Sequence, residues 1–206
     1  YSSDNGATWS SGTTTETSNY DGVANGSNVF AAVGNVNILR STDSGSNWTT
    51  ITTANLKDVA FGNSTFVACG ADGAVYESAN GSSWTSRTSG ASGNTLYGIT
   101  FGNNLFFSVG SSGTLIKSTD NGTSWDTSPD STVTTTLNSI AYGNSIFVAV
   151  GSNTVIASTD NTGSTFGIKE TNYSFNDVTF GNGVFVAVGN DEIIYTSTDG
   201  DTWTKV

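Results

Sequence analysis

A short polar turn that ends in an aromatic residue is written six times in this 206-residue chain. The clearest copy runs Ser-Thr-Asp-Asn-Gly-Thr-Ser-Trp from Ser118 to Trp125. The six copies close on Trp9, Trp48, Trp84, Trp125, Phe166 and Trp203, at separations of 39, 36, 41, 41 and 37 residues. A period near 40 residues with strand-like content predicts a β-propeller, in which each repeat is a small sheet that needs neighbours to bury its faces.

A second motif precedes the turn and predicts the strands of each repeat. It is clearest from Leu56 to Gly70, where two apolar runs flank a Gly-Asn pair suited to a hairpin turn. We predict strands at Asp58–Phe61, Phe66–Cys69 and Ala74–Ser78, and a fourth that begins near Trp84. The second strand is apolar on successive residues, which predicts a sheet covered on both faces. Further copies occupy 96–110, 137–151 and 175–189, with a degraded copy at 20–34.

These repeats predict one all-β domain, residues 1–206, built as a propeller of four-stranded blades. The five complete units are 20–50, 56–86, 96–127, 137–167 and 175–206, and a half blade of two outer strands covers about 1–15. We expect a six-bladed ring with one incomplete blade, and a five-bladed ring with an N-terminal ribbon is the alternative. An ordered Trp9 turn is expected to pack against a neighbouring blade. Unpaired strand edges associate readily, so other copies or an adjoining part of the native chain are expected to complete the half blade.

The turns have a structural explanation and carry a family resemblance. The Asp or Asn side chain is expected to accept backbone N–H bonds, and the aromatic residue to wedge between sheets. The predicted turn residues are Asp4, Trp9, Asp43, Trp48, Asn80, Trp84, Asp120, Trp125, Asp160, Phe166, Asp199 and Trp203. In these turns the chain resembles the Asp-box (BNR, sialidase-type) repeats, Ser-x-Asp-x-Gly-x-Thr-Trp. The match weakens where Asn80 replaces Asp and where Phe166 follows an inserted residue. The resemblance implies a propeller and does not specify a reaction.

The composition argues against the usual catalytic sites. Sialidases resemble one another in using three arginines to bind a carboxylate. This chain has only two arginines, Arg40 and Arg87, so it cannot form such a site. With no histidine, Ser-His-Asp and Cys-His mechanisms are excluded. Cys69 is interpreted as a small buried hydrophobe. No pair of carboxylates suits glycoside hydrolysis, so we predict no catalytic residue, metal or cofactor.

A binding or assembly role therefore remains. The net charge of −11 disfavours nucleic acid and anionic membranes, and no apolar run is long enough for membrane insertion. The variable connections of one propeller face are the candidate binding face, which contains Glu16, Arg87, Asp130, Lys169, Glu170 and Tyr173. The Ser/Thr/Asn-rich, Lys-poor composition favours an extracellular or cell-surface protein. We expect a non-catalytic structural, assembly or recognition module, with a carbohydrate-binding lectin-like propeller and a divergent glycoside hydrolase as alternatives. The chain begins at Tyr1 and has no Met, which suggests a processed product or a piece of a longer polypeptide.

Overall fold

The computed structural model describes residues 1–127, 132–170, 173–190 and 192–206, with only the backbone at 169 and 170. Antiparallel sheets dominate this part of the chain, and each is named here as a blade. Blade 1 contains β1 (Tyr20–Gly26), β2 (Val29–Gly34), β3 (Asn37–Ser41) and β4 (Thr49–Thr53). Blade 2 contains β5 (Leu56–Gly62), β6 (Thr65–Gly70), β7 (Val75–Ser78) and β8 (Thr85–Arg87). Blade 3 contains β9 (Leu96–Gly102), β10 (Leu105–Gly110) and β11 (Leu115–Ser118). Blade 4 contains β12 (Leu137–Gly143), β13 (Ile146–Gly151), β14 (Thr154–Ser158) and β15 (Phe166–Glu170). Blade 5 contains β16 (Phe175–Gly181), β17 (Val184–Gly189), β18 (Ile194–Ser197) and β19 (Thr204–Lys205).

Strand order within each blade follows the chain, so every blade is an up-and-down meander. In blade 3 the described residues of the fourth position, up to 127, pair with β11 through a single bridge between Lys117 and Asp126. The only helical elements in the described ranges are two short 3-10 turns, Ala71–Gly73 and Ser111–Gly113. None of the described helical residues form a segment long and apolar enough to cross a bilayer. The predicted fold class, an all-β propeller of four-stranded blades, is confirmed.

The hairpin between the first two strands differs from the prediction by one residue. Gly62 pairs with Thr65, so the two turn residues are Asn63 and Ser64, with φ of 46° and 59°. Two consecutive positive φ values are typical of a type I′ turn, which matches the twist of the flanking strands. The glycine therefore ends the strand and does not form the turn.

This strand-end glycine makes room for the next blade. A Cβ built on it would overlap an aromatic ring of the following first strand. The four glycine–aromatic pairs are Gly26 with Phe61, Gly62 with Phe101, Gly102 with Tyr142, and Gly143 with Phe180. Each of these rings also packs against a phenylalanine of its own second strand, as Phe61 does on Phe66 at 4.6 Å between centroids.

The cores lie between the blades, so each inner blade is apolar on both faces. Between blades 1 and 2, for example, Val29 and Ile38 lie in one cluster with Val59 and Phe66. Equivalent clusters join blades 2 and 3, 3 and 4, and 4 and 5. No cluster of described residues joins blade 5 to blade 1. The described blades therefore form an arc around a common axis. The arc is open between blade 5 and blade 1.

The N-terminal segment carries the first Asp turn and reaches blade 1 through a bridge between Thr13 and Asn47, whereas the first described strand begins at Tyr20. The Tyr1 amino group donates to the Ser10 carbonyl at 2.7 Å, and Ser10 N–H donates back to Tyr1 O at 2.9 Å. The same reciprocal pair joins Lys117 and Asp126 in blade 3. The expectation that Trp9 packs against a neighbour is wrong, because its side chain is 75% exposed.

Candidate binding site at the channel mouth

The repeated turns use their carboxylates to hold their own backbone. In the first turn, Thr8 N–H and Thr8 Oγ1 donate to the two oxygens of Asp4, at 2.8 and 2.5 Å, and Ser2 Oγ donates at 2.8 Å. These hydrogen bonds lower the pKa of Asp4 to about 2, and the bond from the Thr8 hydroxyl makes the largest contribution. Asp43, Asp120, Asp160 and Asp199 also have lowered pKa values and accept turn hydrogen bonds. In the fourth turn, burial raises the pKa of Asp120, but the bonds from Ser124 and Ser118 outweigh it.

Asn80 replaces the carboxylate without loss of the turn. Its Oδ1 accepts from Ser82 N–H at 2.9 Å and from Ser83 N–H at 3.0 Å. The indole N–H of the closing tryptophan donates to the turn glycine carbonyl, as Trp84 does to Gly81 at 3.0 Å. Trp48, Trp125 and Trp203 make the same bond. Hydrogen bonds of the turn residues therefore stabilise the turns themselves.

The side chains that do converge come from the first strand of every blade. These strands pack on one another around the axis of the arc. The second residue of each lines one cavity of about 420 Å³, here called the channel mouth. The five residues are Asp21, Lys57, Tyr97, Asn138 and Asn176.

The channel mouth combines one ion pair with amides and an aromatic ring. Lys57 Nζ lies 3.1 Å from Asp21 Oδ2 and donates to Asn35 Oδ1 at 2.8 Å. Asn138 Nδ2 donates to Phe175 O at 2.7 Å. Tyr97 is 38% exposed. These bonds fix the polar groups at the rim, where they can donate to and accept from a bound molecule.

A second polar layer lies one residue further along the strands. Asp58 Oδ1 accepts from Val59 N–H at 2.8 Å, and Asp58 Oδ2 accepts from Ile99 N–H of blade 3 at 2.9 Å. Desolvation raises the pKa of Asp58 to about 6, opposed by these two hydrogen bonds and increased slightly by the charge of Asp177. Asp177 itself accepts from Ser139 Oγ at 2.6 Å. Hydrogen bonds of this layer therefore link successive blades.

Three residues of the face predicted from the connections have side chains that the structure describes. Glu16 accepts from Asn37 Nδ2 and Thr50 Oγ1, both at 2.7 Å, and Arg87 pairs with Glu77. Tyr173 is partly buried, with its ring 4.9 Å from that of Tyr195. Asp130 and the side chains of Lys169 and Glu170 lie outside the described residues, so the face as a whole stays a prediction.

Sequence reasoning missed the channel mouth, although the repeats carry a signal for it. The residue before each mouth position is a leucine or an aromatic residue in all five first strands, whereas the mouth residue itself changes between acidic, basic, aromatic and amide. A position that varies on a uniform scaffold indicates where specificity can reside.

Comparisons with known proteins give the same architecture. Residues 16–137 match the DUF6242 beta propeller domain. A search of curated protein sequences finds no match. The structure of YCF48 bound to D1 peptide superposes with a TM-score of 0.70 at 15% identity, over 91% of this chain and 68% of that one. YCF48 from Cyanidioschyzon merolae gives 0.66 at 13% identity, over 91% and 72%. The computationally designed Ika8 protein gives 0.65 at 14% identity, over 88% and 58%.

Proposed function

The chain belongs to the family of DUF6242 beta propeller domains, and we propose that it is a non-catalytic recognition or assembly module that binds a segment of a partner protein at the channel mouth. One observation carries this proposal. Five equivalent strand positions place five exposed or half-buried side chains of differing chemistry around one cavity. Nothing in the propeller scaffold requires that variety, since strand pairing uses only the backbone there.

The chemistry of the mouth suits an extended polypeptide. Carboxamides such as Asn138 and Asn176 can both donate to and accept from peptide groups. Tyr97 offers a rigid, half-exposed ring of the kind enriched at protein interfaces. The similar YCF48 propeller has been solved with a D1 peptide bound, which supports a peptide ligand for this fold.

The turn geometry supports a non-enzymatic Asp-box propeller as the finer class. The lowered pKa values of the turn carboxylates follow from bonds inside the turn, as in Asp4 and Asp43. A carboxylate held ionised by side-chain and backbone hydrogen bonds of its own turn is a poor general acid, since catalysis needs a pKa near the working pH. An adjoining part of the native chain or another copy that completes the half blade belongs to the same proposal.

Carbohydrate is the second candidate ligand, and Tyr97 is the observation that favours it. An exposed ring beside the amides of Asn138 and Asn176 and the carboxylate of Asp21 offers the apolar surface and polar groups that sugars need. A glycan array probed with the full chain separates this ligand class from peptides.

An extracellular or cell-surface location is part of the proposal. The supporting observation is compositional, because charged residues are 11% of the chain and polarity comes mostly from neutral residues. Detection of the native protein in culture medium or on intact cells would test it, and recovery only from the soluble cell interior would contradict it.

The peptide hypothesis is tested with a phage-displayed library of random linear peptides selected on the full chain. Affinities of the enriched peptides are then measured for the wild type and for Tyr97→Asn, which introduces the residue that blades 4 and 5 carry at this position. We expect binding to weaken by about tenfold or more, as for loss of an interface tyrosine. Lys205→Ala, a change at an exposed residue of β19, is the control and is expected to leave affinity unchanged. Equal binding by Tyr97→Asn and the wild type would overturn the assignment of the mouth, and failure to enrich any peptide would reject the peptide ligand.

A further inference from the structure

Blade 5 ends the arc with an interblade face that no described residue covers. In blades 1 to 4 the strand-end glycine lies under an aromatic ring of the next blade, whereas a Cβ at Gly181 would meet nothing within 4 Å. The packing interface between two successive blades is here called a seam. The seam on the outer side of blade 5 therefore has room for an aromatic ring, and no described residue supplies one.

The apolar residues beside Gly181 are also uncovered. Val188 is 39% exposed and Ile194 is 42% exposed. Their equivalents in blade 4 are Val150 and Val155, which are fully buried against blade 5. The difference lies in what covers the strands, since the residue types are nearly the same.

We propose that this face of blade 5, formed by Gly181, Val184, Val186, Val188 and Ile194, is the docking site for a further blade of the same repeat type. The occupant carries an aromatic residue at the penultimate position of its first strand, directly before the strand-end glycine. That ring lies over Gly181, and the apolar second strand of the occupant covers Val188 and Ile194. The proposal is independent of the ligand at the channel mouth.

A second copy of the chain does not offer this ring. In blade 1 the equivalent position is Asn25, which pairs with Phe30 as Phe61 pairs with Phe66. The N-terminal segment also lies on the matching side of blade 1, with Gly12 against Trp48 and Thr13 bridged to Asn47. The seam of blade 5 thus repeats an interface that occurs four times within the chain. It requires an aromatic residue at the position where blade 1 has Asn25.

The test uses thiol labelling of an Ile194→Cys variant of the full chain. The native Cys69 is fully buried and provides a silent background. A copy of residues 54–94 that keeps Phe61 and carries Cys69→Val, the residue found at the equivalent positions 109 and 150, is appended after Val206 so that no new thiol is introduced. We expect labelling at position 194 to slow by about tenfold or more in the extended chain, because reaction then requires local opening of the new seam.

Gly181→Ala supplies the matched control, because a Cβ there would occupy the space of the docked ring. In the extended chain it is expected to restore fast labelling, whereas in the unextended chain it changes neither labelling nor melting temperature. Slow labelling that persists with Gly181→Ala would overturn the proposed seam. Should the first extension not slow labelling, a copy of residues 174–206, which carries Phe180, is appended instead, and failure of both overturns the proposal. If labelling of the unextended chain becomes slower as the protein concentration rises, a second copy covers position 194. That result would also overturn the proposal.

Discussion

Glycine at the end of a first strand decides how closely two blades approach. A Cβ on Gly102 would overlap the Tyr142 ring, whereas Gly181 faces open space. We expect Gly102→Ala to lower the free energy of unfolding by about 1–3 kcal/mol, the usual cost of overpacking a core. Gly181→Ala is the matched control and should change stability by no more than about 0.5 kcal/mol. Urea denaturation measures both, and an equal effect of the two changes would contradict the role given to the seams.

Asp58 gives the molecule a pH dependence of defined sign. Its pKa is raised to about 6 in the folded protein, above the unfolded value near 3.8, so the folded state binds more protons between these values. The contribution of Asp58 to stability is therefore fully present below about pH 3.8 and is lost as pH rises through 6. At roughly 1.4 kcal/mol per pKa unit, the whole change is about 3 kcal/mol at most.

Asp58→Ser, which introduces the residue found at the equivalent position 139, is expected to remove this slope. Denaturation between pH 4 and 7 checks it, with Asp126→Ser as the control because Asp126 is exposed. An unchanged slope in Asp58→Ser would mean that another group titrates in this range.

The glycine of the Gly-Asn pair shows what sequence reasoning can and cannot reach at this scale. Glycine tolerates positive φ, so the sequence predicts that Gly62 lies in the hairpin turn. The structure gives the turn to Asn63 and Ser64 and places Gly62 under Phe101. Local propensity describes a residue and its near neighbours, whereas this glycine is required by a ring 39 residues further along the chain.

The Asp turn is an element whose hydrogen bonds could be predicted, because all partners lie within four residues. Asp120 accepts from Ser124 N–H at 2.9 Å and from Ser124 Oγ at 2.6 Å, and Gly122 N–H donates to Ser118 Oγ at 2.8 Å. We expect Asp120→Ala to destabilise the protein by about 1 kcal/mol, comparable with removal of a helix cap. Asp126→Ala should have a negligible effect, and thermal unfolding of the two variants compares them. Because the folded pKa of Asp120 is lowered, its contribution is present above about pH 4 and is lost as pH falls further.

The tryptophan that ends each turn contributes according to what covers it. Trp125 is partly buried in the cluster between blades 2 and 3 and donates to Gly122 O at 3.0 Å, whereas Trp9 is 75% exposed. We expect Trp125→Ala to cost about 3 kcal/mol or more and Trp9→Ala to cost little. Iodide quenching of the single variants should show that Trp9 supplies the most accessible fluorescence. The motif is the same at both positions, so sequence alone could not separate them.

At the scale of the whole molecule, the period predicted a propeller but not which side chains meet at its axis. The channel mouth combines residues from Asp21 to Asn176, one from each blade. Their proximity follows only once the first strands are known to surround one axis. Sequence variation in the long connections predicts a binding face there instead, but Glu16 accepts from Asn37 and Thr50, and Arg87 pairs with Glu77.

An open arc should be least stable at its uncovered ends. Stability in a repeat protein is close to a sum of intrinsic terms and neighbour interfaces, and blade 5 has one interface where blades 2 to 4 have two. We therefore expect amides of β17 to exchange with solvent faster than those of β13, although the two strands have the same pairing and similar sequences. Native-state hydrogen exchange resolved by peptide measures this directly. Equal protection of β13 and β17 would mean that the blades unfold as one cooperative unit and that the interfaces do not act separately. Faster exchange confined to β17 and its neighbours β16 and β18 would show that the energy of each blade depends on the blade that follows it.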